Sequence, residues 1–280
     1  MYSLTIKTDQ AGMELIEPLL YSHITWGWEE SDSGTITIHF ASQAQLKEFK
    51  ELIINTSARL DLEEKDVQET DWSQEWKKFF TPIEIDDTFI ILPEWLEDSS
   101  TELTKILITP KMAFGTGHHA TTYLCLSTLS SLLAQDLNTD GLNFLDLGTG
   151  SGILGIACAK AGLTGIGVDI DKAAVDNARE NITLNQVEGK FQVKVCDLQN
   201  LDASNKYNII FANILASTLK DMRKTIVSLI DSNRYCLILS GILREQAEDV
   251  VSSYQELGLG KPMLKHQGEW SAVIWNKLFM

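Results

Sequence analysis

The chain has 280 residues, 44% of them hydrophobic and 22% charged, with a formal net charge of −16. That length suits one large domain or two modest ones, and the apolar fraction supports a packed core. The acidity disfavours a surface that binds a nucleic-acid backbone. No apolar run approaches the ~18 residues of a membrane span, and the first residues, Met1-Tyr-Ser-Leu-Thr-Ile-Lys7, do not form a signal peptide. A cytoplasmic monomer is expected. Cys125, Cys158, Cys196 and Cys236 show no paired spacing, so core thiols are expected rather than disulfides or zinc ligands.

The charge is unevenly spread. Residues 1–105 hold 22 acidic and 8 basic side chains, a net of −14, whereas residues 106–280 hold 17 and 15. An acidic front half repels phosphate and attracts a basic partner.

In chain order, residues 1–60 read strand (2–7), helix (11–20), strand (24–29), strand (35–40), helix (43–54), with Ser42 as a cap for the second helix. This is most of a small ferredoxin-like α+β module. The charged stretch Asp61-Leu-Glu-Glu-Lys-Asp66 and its continuation to Asp71 read as a linker. Asp71 then opens a helix that sets Trp72, Trp76 and Phe79 or Phe80 on one face, expected to pack against the domain that follows, and Pro82 ends it. The division expected is 1–60, 61–82 and 83–280.

Beyond residue 83 strands and helices alternate. Strands are expected at 89–92, 105–109, 143–147, 165–169, 191–195, 207–212 and 234–239. Helices are expected at 152–161, 172–185, 216–230 and 243–257, and Gly268 to Lys277 reads as one arm of an antiparallel hairpin. Such alternation predicts an α/β fold with a doubly wound sheet.

The chemistry concentrates at Asn143-Phe-Leu-Asp-Leu-Gly-Thr-Gly-Ser-Gly152. A buried strand feeds a glycine turn and then a helix, and Gly148 and Gly150 let backbone approach a ligand closely. Asp169 ends the next strand, 21 residues past Gly148, near the ~20-residue offset at which an acid meets ribose hydroxyls. The unit is expected to bind an adenosine-containing cofactor. A dinucleotide motif wants its third glycine where this chain has Ile153, and Asp146 precedes the first glycine. A carboxylate there repels a pyrophosphate and attracts an ammonium group, which favours S-adenosyl-L-methionine.

Two further segments bear on the reaction. Pro110-Lys-Met-Ala-Phe-Gly-Thr-Gly-His-His-Ala-Thr-Thr122 is a loop whose Thr121 or Thr122 caps a helix starting at Tyr123. His119 there either acts as a base or orders the loop. Adjacent His118 and His119 point apart in a regular element, so no metal site is expected. Asn213, at the end of a strand, can accept a hydrogen bond from an attacking amine or hold the cofactor's methionine end. The residues after it are Ile-Leu-Ala, not the Pro-Pro-Tyr of enzymes that methylate planar nitrogens.

Asp146-Leu-Gly-Thr-Gly-Ser-Gly152 resembles motif I of the class I methyltransferases. Met112-Ala-Phe-Gly-Thr-Gly, His119 and Thr121-Thr122, with Asp71-Trp, Trp76-Lys77, Asn213-Ile-Leu-Ala216 and Ser240-Gly-Ile-Leu243, resemble the marks of the ribosomal protein L-11 methyltransferase family. His118, Ala120 and Thr149 depart from that family's usual Thr, Pro and Cys. The resemblance implies cofactor contacts at Thr122, Gly148, Asp169 and Asn213, and an acid at Asp197 for the adenine amino group, where a solvated loop acid is the alternative. It also implies a protein N-methyltransferase acting on lysine side chains and the N-terminal α-amine of ribosomal protein L-11, met by the acidic front domain. A methyltransferase for another protein, a small molecule or RNA is the alternative, with a non-catalytic binding module behind it.

Overall fold

The computed structural model describes residues 2–24, 28–31, 35–40, 42–56, 60–66, 81–109, 119–135, 137–197 and 200–279. The chain forms two compact units, Met1–Phe80 and Thr81–Met280. The expected aromatic helix at 71–80 and the loop at 110–118 lie outside the described residues.

In the first unit, β1 (Tyr2–Lys7), α1 (Gln10–His23), β2 (Glu29–Ser31), β3 (Thr35–Phe40), α2 (Gln43–Ile54) and β4 (Asp61–Asp66) follow the β-α-β-β-α-β order of a ferredoxin-like module. The antiparallel sheet runs β2-β3-β1-β4. Strict alternation in β3 turns Ile36, Ile38 and Phe40 inward, against Leu46, Phe49 and Ile53 of α2. Ser42 caps α2 by accepting the Gln45 N–H at 3.3 Å. Ile24 caps the end of α1 instead of opening a strand.

Residues 61–66 are a strand and not the start of a linker. β4 pairs with β1 along its whole length, with Leu62 opposite Ile6. Its sequence carries one apolar residue among charges, so its hydrophobic pattern is nearly silent. The backbone of β1 supplies the pairing, and Glu64 forms an ion pair with Lys50 of α2.

The second unit opens with a small sheet of β5 (Ile83–Ile85), β6 (Phe89–Pro93) and β7 (Thr104–Ile108), in which β6 and β7 run parallel. After α3 (Ala120–Leu133) come β8 (Asn143–Leu147), α4 (Ile153–Lys160), β9 (Thr164–Asp169), α5 (Lys172–Leu184), β10 (Phe191–Val195) and β11 (Ile209–Asn213). Next are α6 (Ala216–Asp221), α7 (Arg223–Ser228), β12 (Cys236–Leu243), α8 (Ala247–Gln255), β13 (Met263–Gln267) and β14 (Trp270–Asn276). The sheet runs β10-β9-β8-β11-β12-β14-β13, with every strand parallel except β14, which pairs antiparallel with both β12 and β13. Strand order reverses between β8 and β11, and ligands of open α/β sheets bind at the strand ends there.

Alternation along each strand feeds two apolar layers. Phe144, Phe211 and Ile238 pack with α3 and α4, whereas Leu145, Leu147, Ala212 and Leu239 pack with α6 and α8. The helix expected over 216–230 is two short ones joined at Met222. The strand expected to end at Leu239 runs on to Leu243, across an irregularity in its pairing with β14 at Gly241.

Candidate active site

A cavity of about 790 Å³ opens at the ends of β8, β9 and β11, within the size range of small-molecule sites. Gly148, Gly150, Asp169, Asp197, Asn213 and His119 all line it. Thr122 does not. Its neighbour Thr121 lines the wall, and the buried hydroxyl of Thr122 has no partner among the described residues.

The glycine loop is fixed by backbone bonds. Gly148 and Thr149 N–H both donate to the Val168 carbonyl, at 2.9 and 3.0 Å. The Gly150 N–H donates to Asp169 Oδ2 at 3.0 Å, and Asp171 N–H to Asp169 Oδ1 at 3.0 Å. These bonds aim the Asp169 carboxylate while leaving it lone pairs for a ligand. Asp171 then caps α5 through the Ala173 N–H at 2.8 Å.

Ile214, just past β11, lies between two glycines far apart in sequence. A Cβ on Gly148 would come 2.5 Å from Ile214 Cγ2, and one on Gly241 would come 2.4 Å from the Ile214 carbonyl oxygen. Both glycines have positive φ, 70° and 78°. Bare backbone on both sides lets the Asn213–Leu215 turn sit at the cavity mouth, where Leu215 is 71% exposed.

Asp146 has a different role from the one its sequence position predicts. Period-two alternation turns it with Phe144 into the α4 layer, where it is 1% exposed and away from the cavity wall. Its Oδ2 accepts the Thr149 hydroxyl at 2.7 Å and the Gly155 N–H at 3.3 Å. It braces the loop from beneath and does not meet an ammonium group. Burial, partly offset by those two bonds, pushes its pKa up to about 6. A raised acid contributes stability that is complete below its unfolded pKa near 4 and is lost as pH rises through about 6. Up to ~3 kcal/mol is forfeited at neutral pH. Accordingly, urea titrations should show Asp146→Asn gaining ~1 kcal/mol relative to the parent between pH 5 and 7.5. A difference that does not change with pH would mean this carboxylate titrates normally.

His119 caps α3, which begins earlier than the helix expected to start at Tyr123. Its Nδ1 accepts the Thr121 N–H at 3.3 Å and lies 2.7 Å from the Thr121 hydroxyl. A backbone N–H can only donate, so the ring proton sits on Nε2. Of the two roles that the position of His119 allows, base or loop-ordering residue, these bonds are those of a residue that orders the start of α3. Its ring meets Trp270 edge-on, with centroids 4.8 Å apart. Trp270 also lines the cavity, and no local sequence signal marks it because β14 reaches the site only by pairing with β12.

The lining suits the expected ligand. Asp169, Asp171, Asp197 and Asp221 face the space, and among the described residues no Lys or Arg lines it. Such a wall repels pyrophosphate and accommodates a sulfonium and an ammonium. Among the described residues Asn213 Oδ1, buried at the same mouth, has no partner, an acceptor awaiting a donor. Among the described residues no cluster of three metal-ligating side chains occurs.

A sheet of this order with this acidic cavity at its glycine turn defines a Rossmann-like, S-adenosylmethionine-dependent methyltransferase. The family model for ribosomal protein L11 methyltransferase matches residues 5–277. The chain belongs to that family. It is 36% identical to the ribosomal protein L11 methyltransferase of Ruminiclostridium cellulolyticum, over 82% of this chain and 74% of that one. With the Caldicellulosiruptor bescii protein of the same name identity is 31%, over 99% and 98%. The crystal structure of a ribosomal protein L11 methylase from Lactobacillus delbrueckii subsp. bulgaricus superposes with a TM-score of 0.61 at 29% identity, covering 71% of this chain and all of that one.

Proposed function

We propose that this enzyme methylates ribosomal protein L11 at amines, namely lysine side chains and the N-terminal α-amine. The observation that carries the reading is Asn213 Oδ1 at the cavity mouth, an acceptor with no partner among the described residues. S-adenosylmethionine supplies a methyl group on a sulfonium leaving group. Gly148, Gly150 and Asp169 hold its adenosine portion, and Asp197 faces the adenine end. The amine must arrive neutral, because its lone pair forms the new N–C bond, and its proton leaves to water before entry. Asn213 Oδ1 then accepts one remaining N–H, which aims the lone pair along the line of displacement. Leu215 and Trp270 offer apolar surface to a lysine stem. The acidic first unit recognises the basic substrate.

Incubation of unmethylated L11 with labelled cofactor, followed by mass spectrometry, tests this. Label should enter at lysines and the α-amine, and Asn213→Ala should lower kcat at least tenfold with cofactor Kd within threefold. Charge reversal at Glu48 and Glu51, exposed on α2, should raise KM for L11 without changing cofactor affinity. Cofactor binding with no label in L11 would sink the substrate assignment.

A further inference from the structure

Two buried amides, one on α5 and one just beyond its end, hold segments distant in sequence. Asn185 Oδ1 accepts the Leu107 N–H at 2.9 Å, and its Nδ2 donates to the Leu107 carbonyl at 2.6 Å. One turn earlier Asn181 is fully buried. Its Oδ1 accepts the Thr109 N–H at 2.9 Å and its Nδ2 donates to the Ser151 carbonyl at 2.8 Å. Four residues of helix and two of strand cover nearly the same length, about 6 and about 6.6 Å. Asparagines four apart therefore read alternate residues along the edge of β7. Asparagine is a poor helix former and a buried amide is costly unless satisfied, so the pair is a purposeful dock for that edge.

The two amides differ in what they join. Asn185 holds Leu107 and its own helix. Asn181 divides its bonds between Thr109 and Ser151, the residue between Gly150 and Gly152. On the cavity side of that same turn the Gly150 N–H meets Asp169. We propose that Asn181 is a positioning residue of the cofactor site. By holding the Ser151 carbonyl it keeps the glycine loop in the shape that presents Gly150 to Asp169, and it ties that shape to the end of β7.

The test is S-adenosylhomocysteine binding by calorimetry on the full chain carrying Asn181→Asp or Asn185→Asp, each compared with the parent at the same pH. In Asn181→Asp an ionised carboxylate keeps the acceptor for Thr109 but loses the donor to Ser151, whereas the protonated acid restores both. Asn181→Asp should bind at least tenfold more weakly than the parent at pH 8 and recover to within threefold at pH 5.5. Asn185→Asp should lower Tm yet stay within threefold at both pH values. Binding within threefold by both Asn181→Asp at pH 8 and folded Asn181→Ser would overturn the proposal, as would equal, pH-independent losses in Asn181→Asp and Asn185→Asp. Should Asn181→Asp not fold, Asn181→Ser decides: a tenfold loss at both pH values supports the role, and an unchanged Kd ends it.

Discussion

Asp169→Ala should weaken S-adenosylmethionine binding about a hundredfold, measured by calorimetry on protein whose circular dichroism matches the parent. The carboxylate lines the cavity and is pre-aimed by the Gly150 and Asp171 N–H groups. Hydrogen bonds to a charged partner contribute about 1.5–3 kcal/mol each. Losing one or two toward ribose hydroxyls is thus a loss of between roughly tenfold and roughly 20,000-fold at 1.4 kcal/mol per decade. Asp169→Asn separates two contributions. It keeps a carbonyl oxygen for the Gly150 N–H but loses the charge, so its affinity should fall between parent and alanine variant. If Asp169→Ala binds within threefold of the parent, the carboxylate only braces the loop.

The second large effect is expected at Gly241. Alanine there adds a methyl 2.4 Å from the Ile214 carbonyl oxygen, at a φ of 78°. The collision is with backbone, so no rotamer relieves it. Left-handed strain for a non-glycine residue is about 1–2 kcal/mol, and displacement of the Asn213–Leu215 turn adds to it. Urea unfolding should report a loss of ~2–4 kcal/mol, with methyl transfer reduced more than tenfold. Gly268→Ala is the control, because its φ is 58° but nothing lies within 4 Å of the new methyl. It should show the strain alone and keep its activity. Equal losses in the two variants would mean that the contact with Ile214 relaxes freely.

Much of the catalytic unit is legible in the sequence because its signals are local. Strands 143–147 and 191–195 match β8 and β10 residue for residue, since buried runs bounded by turn residues read clearly. Gly148, Gly150, Asp169 and Asn213 are found from spacing and from ends of strands, and all line one cavity. What escapes is what depends on pairing across the sheet. Asp146 looks like a ligand residue because it precedes the glycines, yet the two-residue period of β8 buries it under α4. Trp270 reaches the cavity through β14, more than a hundred residues after the glycine loop. Asn181 and Asn185 read as ordinary polar helix positions until β7 is laid against them.

β4 carries a consequence for the protein's behaviour in concentrated solution. It forms one end of its sheet, and among the described residues no strand pairs with its outer side. A bare strand edge is a template on which other chains aggregate. Asp61, Glu63, Glu64 and Asp66 surround Leu62 there, so a second copy of the same edge would meet like charges along most of its length. The residues that disguise this segment as a linker are the ones that keep the sheet from growing.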